Sequence, residues 1–162
     1  MTVKNQSTFQ LFLQNCRLLS DTFNLEPLLY GSAGLEYITG DDLQPGDIDI
    51  LIPGSFIGER WQEFKTVLEA AGYLLIDEHE HTFSCNGTSY SYAAVKELAD
   101  FAGINLEDIQ IREVDTLRFR LLSLEQYLQV YRKSIQDGYR IRVRQKKDAH
   151  KILLIESKLS KQ

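Results

Sequence analysis

The fold is decided by two neighbouring stretches of the chain, LLYGSAGLEYITG (residues 28–40) and DIDILIP (residues 47–53). The apolar run before Gly31 predicts a buried strand that ends in a tight turn. Residues 33–38 can form one or two helical turns, which the last glycine of the stretch closes. The second stretch is β-branched and apolar enough for a central strand, and its proline ends that strand. The predicted order is therefore strand, turn, short helix and strand.

Asp47 and Asp49 stand two residues apart in the second predicted strand. Alternate residues of a strand point to one face, so the two carboxylates project side by side while Ile48 turns into the core. Two carboxylates this close repel each other unless a cation lies between them. Hard oxygen ligands on one face suit Mg²⁺, with Mn²⁺ as the alternative, and such a cation takes its other ligands from water and substrate phosphates.

Gly31 and Ser32 form the turn at the end of the first predicted strand. Glycine lets the backbone come close to a ligand, and the serine offers a hydroxyl. The helix predicted to start at Ala33 would direct its free N–H groups at an anion. Phosphate at the turn and metal on the strand together describe a site for a nucleoside triphosphate with Mg²⁺. Such a site suits in-line displacement at phosphorus.

These motifs resemble the signature of the DNA polymerase β-like nucleotidyltransferase superfamily, over residues 28–53. In that signature Gly-Ser or Gly-Gly follows one strand and Asp-x-Asp lies on the next. The closer resemblance is to the head domain of tRNA CCA-adding enzymes, in which a short helix closed by glycine separates the two motifs. The resemblance implies that Gly31 and Ser32 hold the triphosphate. It also implies that Asp47 and Asp49 are catalytic and bind the metal, and that a nucleoside monophosphate passes to a hydroxyl with release of pyrophosphate.

The end of the chain resembles the helical part of small bacterial nucleotidyltransferase-like proteins. Its residues 123–128, SLEQYL, are followed by Lys147 and Asp148. In the proteins that it resembles, a Lys-Asp pair near the last helix lies close to the site, so the resemblance implies a nucleotide contact from Lys147. We expect an α/β (α+β) fold with a mixed sheet. Residues 1–122 would form the head, and residues 123–162 a short helical tail packed on it as one compact unit.

The chain departs from the superfamily at the third carboxylate, which many members carry on a later strand to help activate the acceptor hydroxyl. The corresponding hairpin strand here reads SYSY (residues 89–92). Four acids lie near it in the sequence without a defined place in the site, namely Glu97, Asp100, Glu113 and Asp115. The chain is also too short for the neck and body with which CCA-adding enzymes choose the base and hold tRNA.

Two functions therefore stay open. The first is a Mg²⁺-dependent nucleotidyltransferase whose acceptor is a small molecule, a protein side chain or an RNA end. The second is a non-catalytic protein of the same fold that binds a nucleotide or a partner. Fold alone does not choose between them, because function depends on the site.

Composition and charge exclude several classes of protein. The 162 residues suit one compact domain, and no apolar run is long enough to span a bilayer. The polar residues 1–10 have no apolar core like that of a secretion signal, and the two cysteines are expected to stay reduced. We therefore expect a cytoplasmic protein. Its net charge of −5 argues against tight non-specific binding to nucleic acid.

The charges are unevenly distributed along the chain. Of the 23 acidic residues, 17 precede Arg112, whereas 13 of the 18 Lys and Arg lie from Arg112 onward. This asymmetry fits an acidic face that holds metal and a basic face that holds phosphate, and it fits two differently solvated surfaces equally well.

Periodicity and turn signals predict the remaining elements. Ser7 should cap a first helix, and Ser123 with Gln126 forms a capping box for a later one. Asn86-Gly87 predicts a hairpin between strands at 82–85 and 88–92. Helices are further predicted at 59–71, at 94–102 and after the basic stretch 140–147, and strands at 73–76 and 109–114.

Three other patterns have ordinary structural interpretations that we prefer. His79, His81 and Cys85 could share one strand face, but their spacing matches no common zinc signature. Four tyrosines that could stack a base are at spacings typical of a core or a sheet surface, namely Tyr90, Tyr92, Tyr127 and Tyr131. Alternating arginines that could face phosphate suit a charged edge strand equally well, namely Arg140, Arg142 and Arg144.

Overall fold

A computed structural model describes the backbone of residues 6–136 and 143–161 and the side chains of residues 6–135 and 148–161. It contains one seven-stranded sheet, with helices packed on both faces. This arrangement confirms the predicted mixed sheet layered with helices. Within the described ranges, no helix is long and apolar enough to cross a membrane.

Side-chain caps precede two of the described helices, α1 (Thr8–Phe23) and α5 (Leu124–Gln136). In α1 the Ser7 hydroxyl accepts from the Gln10 N–H at 3.1 Å and the Gln10 side chain accepts from the Ser7 N–H. Ser123 and Gln126 form the same reciprocal pair before α5, which confirms the predicted capping box. The helices are α1 (Thr8–Phe23), α2 (Gly31–Thr39), α3 (Trp61–Ala70), α4 (Lys96–Ala102), α5 (Leu124–Gln136) and α6 (Val143–Ser160).

The strands form the order β3-β4-β5-β2-β1-β7-β6. Their bounds are β1 (Leu28–Tyr30), β2 (Asp47–Ile52), β3 (Leu74–Asp77), β4 (Thr82–Cys85), β5 (Thr88–Ala94), β6 (Gln110–Val114) and β7 (Leu117–Leu121). β2 pairs antiparallel with β1 and parallel with β5, so it lies inside the sheet as predicted. The predicted hairpin joins β4 to β5, and both of its turn residues, Asn86 and Gly87, have positive φ.

β7 is absent from the predicted elements, although it pairs with both β1 and β6. Its residues alternate between buried and more accessible positions, which is a regular strand pattern. The β6–β7 turn is formed by Asp115 and Thr116 at φ 49° and 69°. Such turns usually carry glycine, so the hairpin lacks the common turn signal and the strand was missed.

The sheet separates two apolar layers, and β2 contributes to both. Its even-numbered residues, Ile48, Ile50 and Ile52, face the layer that contains α1 and α3. On the opposite face Leu51 is buried in the layer that contains α4, α5 and α6. Asp47 lies on the same face as Leu51, four residues earlier in the strand, and is exposed. The second layer of helices therefore covers the end of β2 and leaves its beginning open.

The core interpretation of the four tyrosines is confirmed, because all four are buried. Tyr90 and Tyr92 lie in the layer with α1 and α3, and Tyr127 and Tyr131 lie in the layer with α4 to α6. Cys16 and Cys85 are both free thiols. Within the described side chains, no three His, Cys, Asp or Glu residues gather as a metal-binding group, so His79, His81 and Cys85 do not form one.

Candidate functional site

Asp47 and Asp49 lie on the open face of β2, as strand alternation predicts. Ile48 between them is 2% exposed and faces the opposite layer. Asp47 is exposed and Asp49 is half-buried. Asp49 stands opposite Tyr30, the last residue of β1, so the acid lies level with the turn that follows that strand.

The Asp49 carboxylate lies directly against the backbone of Gly31. Gly31 adopts φ +62°, and a Cβ added there would overlap the Asp49 Oδ2 atom and lie 3.3 Å from its Cβ and Cγ. Only glycine satisfies both conditions, since it tolerates the left-handed conformation and has no side chain to displace the acid. The fold thus places the glycine turn in contact with Asp49, one of the two acids.

Helix α2 starts at Gly31, two residues before its predicted start. Ser32 therefore belongs to the first helical turn. The first N–H groups of a helix have no partner within that helix, and its N-terminus carries a partial positive charge. Ser32 thus combines a hydroxyl with backbone donors directly after the glycine that contacts Asp49. The structure brings Gly31 and Asp49 into contact, with Ser32 next to the first in the chain and Asp47 on the same strand face as the second.

Tyr127 also belongs to this region, although its sequence pattern predicts only a position in the core. It is fully buried, and its hydroxyl donates a hydrogen bond to the Gly31 carbonyl at 3.1 Å. Burial raises the pKa of Tyr127 well above its usual value, and Tyr131, Tyr30 and Asp49 add to that rise. The hydroxyl therefore keeps its proton and remains a donor. Tyr127 is remote from Gly31 in the sequence, so no local pattern indicates this contact.

Two serines occupy the places on β5 that face the acid pair. Ser89 lies opposite Asp47 and Ser91 opposite Asp49 on the parallel strand. Ser91 also shares a hydrogen bond of 2.8 Å with Thr82 on β4. The four acids near this strand in the sequence are exposed on other elements: two on α4, one on β6 and one in the β6–β7 turn. None of these four acids is paired with a residue of β5 in the sheet.

The donor set suits one hard cation bound from one side. Asp47 and Asp49 offer carboxylate oxygens on one face, and the adjacent first turn of α2 offers donors for phosphate. Mg²⁺ is commonly held by one or two carboxylates, with water and substrate phosphates as its other ligands. The chain's own residues therefore fit Mg²⁺ together with a triphosphate.

The predicted contact from Lys147 lies outside the described residues, because the structure describes the side chains of α6 only from Asp148 onward. Arg140 and Arg142 lie outside the described backbone as well, whereas the backbone of Arg144 lies in α6, a helix and not the edge strand considered from the sequence. Asp148 itself is 6% exposed and accepts a hydrogen bond of 2.7 Å from the Ser134 hydroxyl. Its described contact thus joins α6 to α5.

The C-terminal end of α6 is joined to the loop that follows α2. Lys158 forms an ion pair with Asp41 at 3.2 Å. Both side chains are partly accessible, so this pair contributes little to stability. It does place the end of α6 beside the loop that leads into Asp47.

Three solved structures share the fold of this chain. An antigenic nucleotidyltransferase-like protein from Paracoccidioides brasiliensis has a TM-score of 0.62 and 13% identity, with 91% of this chain and 74% of that chain covered. The crystal structure of ANT(2")-Ia in complex with adenylyl-2"-tobramycin has a TM-score of 0.59 and 15% identity, with 94% and 90% covered. The solution structure of the antibiotic-resistance factor ANT(2'')-Ia has a TM-score of 0.54 and 14% identity, with 96% and 94% covered.

Sequence comparison identifies a nearer relative. The chain is 41% identical over 141 residues to the uncharacterized protein YnaI of Bacillus subtilis (strain 168), and the match covers 85% of this chain and 90% of YnaI. No protein-family model matches the chain. The chain therefore belongs to the family of YnaI, and its fold is nucleotidyltransferase-like, as the motifs on β1, α2 and β2 predict.

Proposed function

We propose that the protein is a Mg²⁺-dependent nucleotidyltransferase that transfers a nucleoside monophosphate from a triphosphate to a hydroxyl acceptor. The observation that carries this proposal is the contact between the Asp49 carboxylate and the left-handed Gly31. It joins a candidate metal ligand to the start of a helix whose N–H groups suit phosphate. Neither motif would be informative if the fold had kept them apart.

Each residue of the site has a defined role in this proposal. Asp47 and Asp49 hold the cation, which when bound neutralises phosphate charge and stabilises the leaving group. Ser32 binds the triphosphate through its hydroxyl and its backbone N–H. Gly31 keeps the space that Asp49 occupies. The sequence resemblance adds Lys147 as a candidate contact to the nucleotide, and its side chain lies outside the described residues.

The reaction proposed is an in-line displacement at the α-phosphorus. The acceptor oxygen forms a bond to that phosphorus while the bond to the bridging oxygen of the β-phosphate breaks. The electron pair of the broken bond leaves with pyrophosphate, and the acceptor proton passes to water. Positioning and charge neutralisation supply most of the rate enhancement in phosphoryl-group chemistry of this kind.

A second candidate function is nucleotide binding without catalysis. The observation that favours it is the pair of serines, Ser89 and Ser91, that face the acids from β5. A neutral hydroxyl is a poor base, and a positioned base typically contributes about 10²–10⁴-fold to a rate. A chain that keeps the phosphate turn and the acid pair can bind a triphosphate without this contribution.

The first experiment is a thermal unfolding series with ATP, CTP, GTP and UTP, each with and without Mg²⁺. A ligand that binds only the folded state raises the unfolding midpoint. We expect a Mg²⁺-dependent rise with at least one triphosphate, lost in Asp47→Asn and Asp49→Asn. Asp100→Asn, on the exposed surface of α4, is the matched control and should keep the rise.

The outcomes separate the two candidate functions. No rise with any triphosphate would reject both of them. A rise that persists in Asp49→Asn would reject the acid pair as the cation site. If a triphosphate raises the unfolding midpoint, Mg²⁺-dependent pyrophosphate release in the presence of an acceptor identifies the enzyme. If no pyrophosphate is released with any acceptor class, the result favours the binding protein.

A further inference from the structure

The Gly31–Ser32 peptide accepts a hydrogen bond from α5, the first helix of the helical tail. The Tyr127 hydroxyl on α5 donates to the Gly31 carbonyl at 3.1 Å. The tyrosine is 0% exposed, so no water competes for this bond in the folded protein. Gly31 is the first residue of α2, so its carbonyl also accepts within the helix, and the buried tyrosine hydroxyl is a second donor that restrains the direction of that carbonyl.

Gly34 makes the approach of Tyr127 possible. A Cβ added at Gly34 would overlap the Tyr127 hydroxyl and would lie 2.8 Å from the Leu29 carbonyl oxygen. The two glycines of α2 thus have separate roles. Gly31 leaves room for Asp49, and Gly34 leaves room for the tyrosine that bonds to Gly31.

The direction of the Gly31 carbonyl determines the direction of the next N–H group. The peptide bond is planar and trans, so the carbonyl of Gly31 and the N–H of Ser32 point in opposite directions. A donor that holds the carbonyl on the α5 side therefore turns the Ser32 N–H away from α5. Hydrogen bonding at the carbonyl also polarises the peptide and strengthens its N–H as a donor.

We propose that Tyr127 is a positioning residue for the triphosphate, because its hydroxyl holds the Gly31 carbonyl and thereby orients the Ser32 N–H toward the phosphates. This inference rests on the proposed function, since it concerns the same phosphate turn. It adds a residue of the helical tail to the site. Tyr127 itself does not touch the triphosphate in this arrangement.

The test combines triphosphate affinity with the backbone amide NMR spectrum. The probes are ATP, CTP, GTP and UTP, each with Mg²⁺. Tyr127→Phe keeps the ring and removes the hydroxyl. We expect this variant to shift the Ser32 amide resonance of the free protein and to weaken triphosphate binding about tenfold, the effect of about one hydrogen bond.

Tyr131→Phe is the matched control. Tyr131 stacks on Tyr127 with ring centroids 5.9 Å apart and is also buried on α5. Its substitution removes a buried hydroxyl from the same helix but not the one bonded to Gly31. We expect triphosphate affinity within about twofold of the wild type and an unmoved Ser32 amide, because the loss of a hydroxyl that is not bonded to Gly31 affects mainly stability.

A measurement on the wild type keeps the proposal testable if Tyr127→Phe does not fold. Adding the triphosphate should shift the Ser32 amide, because that N–H donates to a phosphate. If no triphosphate binds the wild type, the proposed function fails. If a triphosphate binds but the Ser32 amide does not respond, or if Tyr127→Phe binds as the wild type does, the role of Tyr127 alone is overturned.

Discussion

Ser91 lies directly opposite Asp49 on the neighbouring parallel strand, and its hydroxyl is hydrogen bonded to Thr82 at 2.8 Å. A carboxylate at position 91 would therefore lie next to Asp49 on the open face of the sheet. Like charges this close repel each other unless a cation is shared between them. This relationship offers a gain-of-function test of the site.

Ser91→Asp should make the protein less stable without metal and more responsive to Mg²⁺. A repulsion of about 1–2 kcal/mol lowers the unfolding midpoint by about 2–8 °C in a domain of this size. Mg²⁺ should restore the midpoint and raise it by more than in the wild type, as measured by thermal unfolding with and without Mg²⁺. If the protein has the nucleotidyltransferase activity proposed above, its pyrophosphate release should also rise.

Ser84→Asp is the control for this substitution. Ser84 lies on β4 opposite Ser89, one strand further from the acid pair. Its carboxylate is too far from Asp49 to share a cation, so Mg²⁺ should have the same effect as in the wild type. An equal response of the two variants would place the cation away from Asp47 and Asp49.

Gly31→Ala should destabilise the fold and abolish the triphosphate effect. An alanine at a left-handed position costs about 1–2 kcal/mol, and the displacement of Asp49 adds about 1–2 kcal/mol. Gly40→Ala is the matched control, since Gly40 has φ +77° but no atom within 4 Å of an added Cβ. Urea unfolding should show a larger loss for Gly31→Ala. Equal losses in the free energy of unfolding would mean that the contact with Asp49 does not contribute to stability.

Ser134→Ala should lower the free energy of unfolding by about 1–3 kcal/mol, because Asp148 is a buried carboxylate that loses this donor. The bond that is removed measures 2.7 Å and joins α5 to α6. Ser157→Ala, at an exposed position of α6, should change stability by less than about 0.5 kcal/mol. Urea unfolding of both variants checks this prediction, and a loss as small as that of Ser157→Ala would contradict it.

Cys16 should make the protein less stable in alkali. Burial raises the pKa of the Cys16 thiol from 9.0 to about 12. Above pH 9 the unfolded chain releases the thiol proton while the folded chain retains it, so the free energy of unfolding falls by up to about 1.4 kcal/mol per pH unit. The fall begins near pH 9, below the range in which tyrosines of an unfolded chain ionise.

Urea unfolding at closely spaced pH values between about 8 and 10 checks this slope. Cys16→Ala removes the titrating group and should show a flatter dependence in that range, after its lower stability is subtracted. The thiol also contacts the Arg118 carbonyl at 3.6 Å, which adds to the loss. An identical slope in the two proteins would assign the pH dependence to another group.

The sequence was sufficient for the local parts of the site. The alternation of Asp47, Ile48 and Asp49 predicts which side chains share a face, and the structure has the same alternation. The turn at Gly31 and the capping box before α5 are likewise set by neighbouring residues. These features depend on backbone preferences over a few residues, which a sequence displays directly.

The parts that the sequence did not predict depend on distant partners. β7 has a clear strand pattern, but its position beside β1 comes from parallel pairing between Leu28 and Arg120. The bond from Tyr127 to Gly31 joins residues 96 positions apart. A buried tyrosine in an amphipathic helix has the same local pattern whether or not its hydroxyl reaches a functional turn. Only the packed structure distinguishes these cases.

The pairing of β1 also determines when this protein can fold during its synthesis. β1 lies between β2 and β7, and β7 ends at Leu121. Until that residue has left the ribosome, the nascent chain can pair β1 on one side only. Open strand edges of this kind associate with other chains, and folding intermediates that expose them aggregate. A ribosome that pauses before residue 117 would therefore hold a chain whose Gly31–Ser32 turn adjoins an unpaired edge.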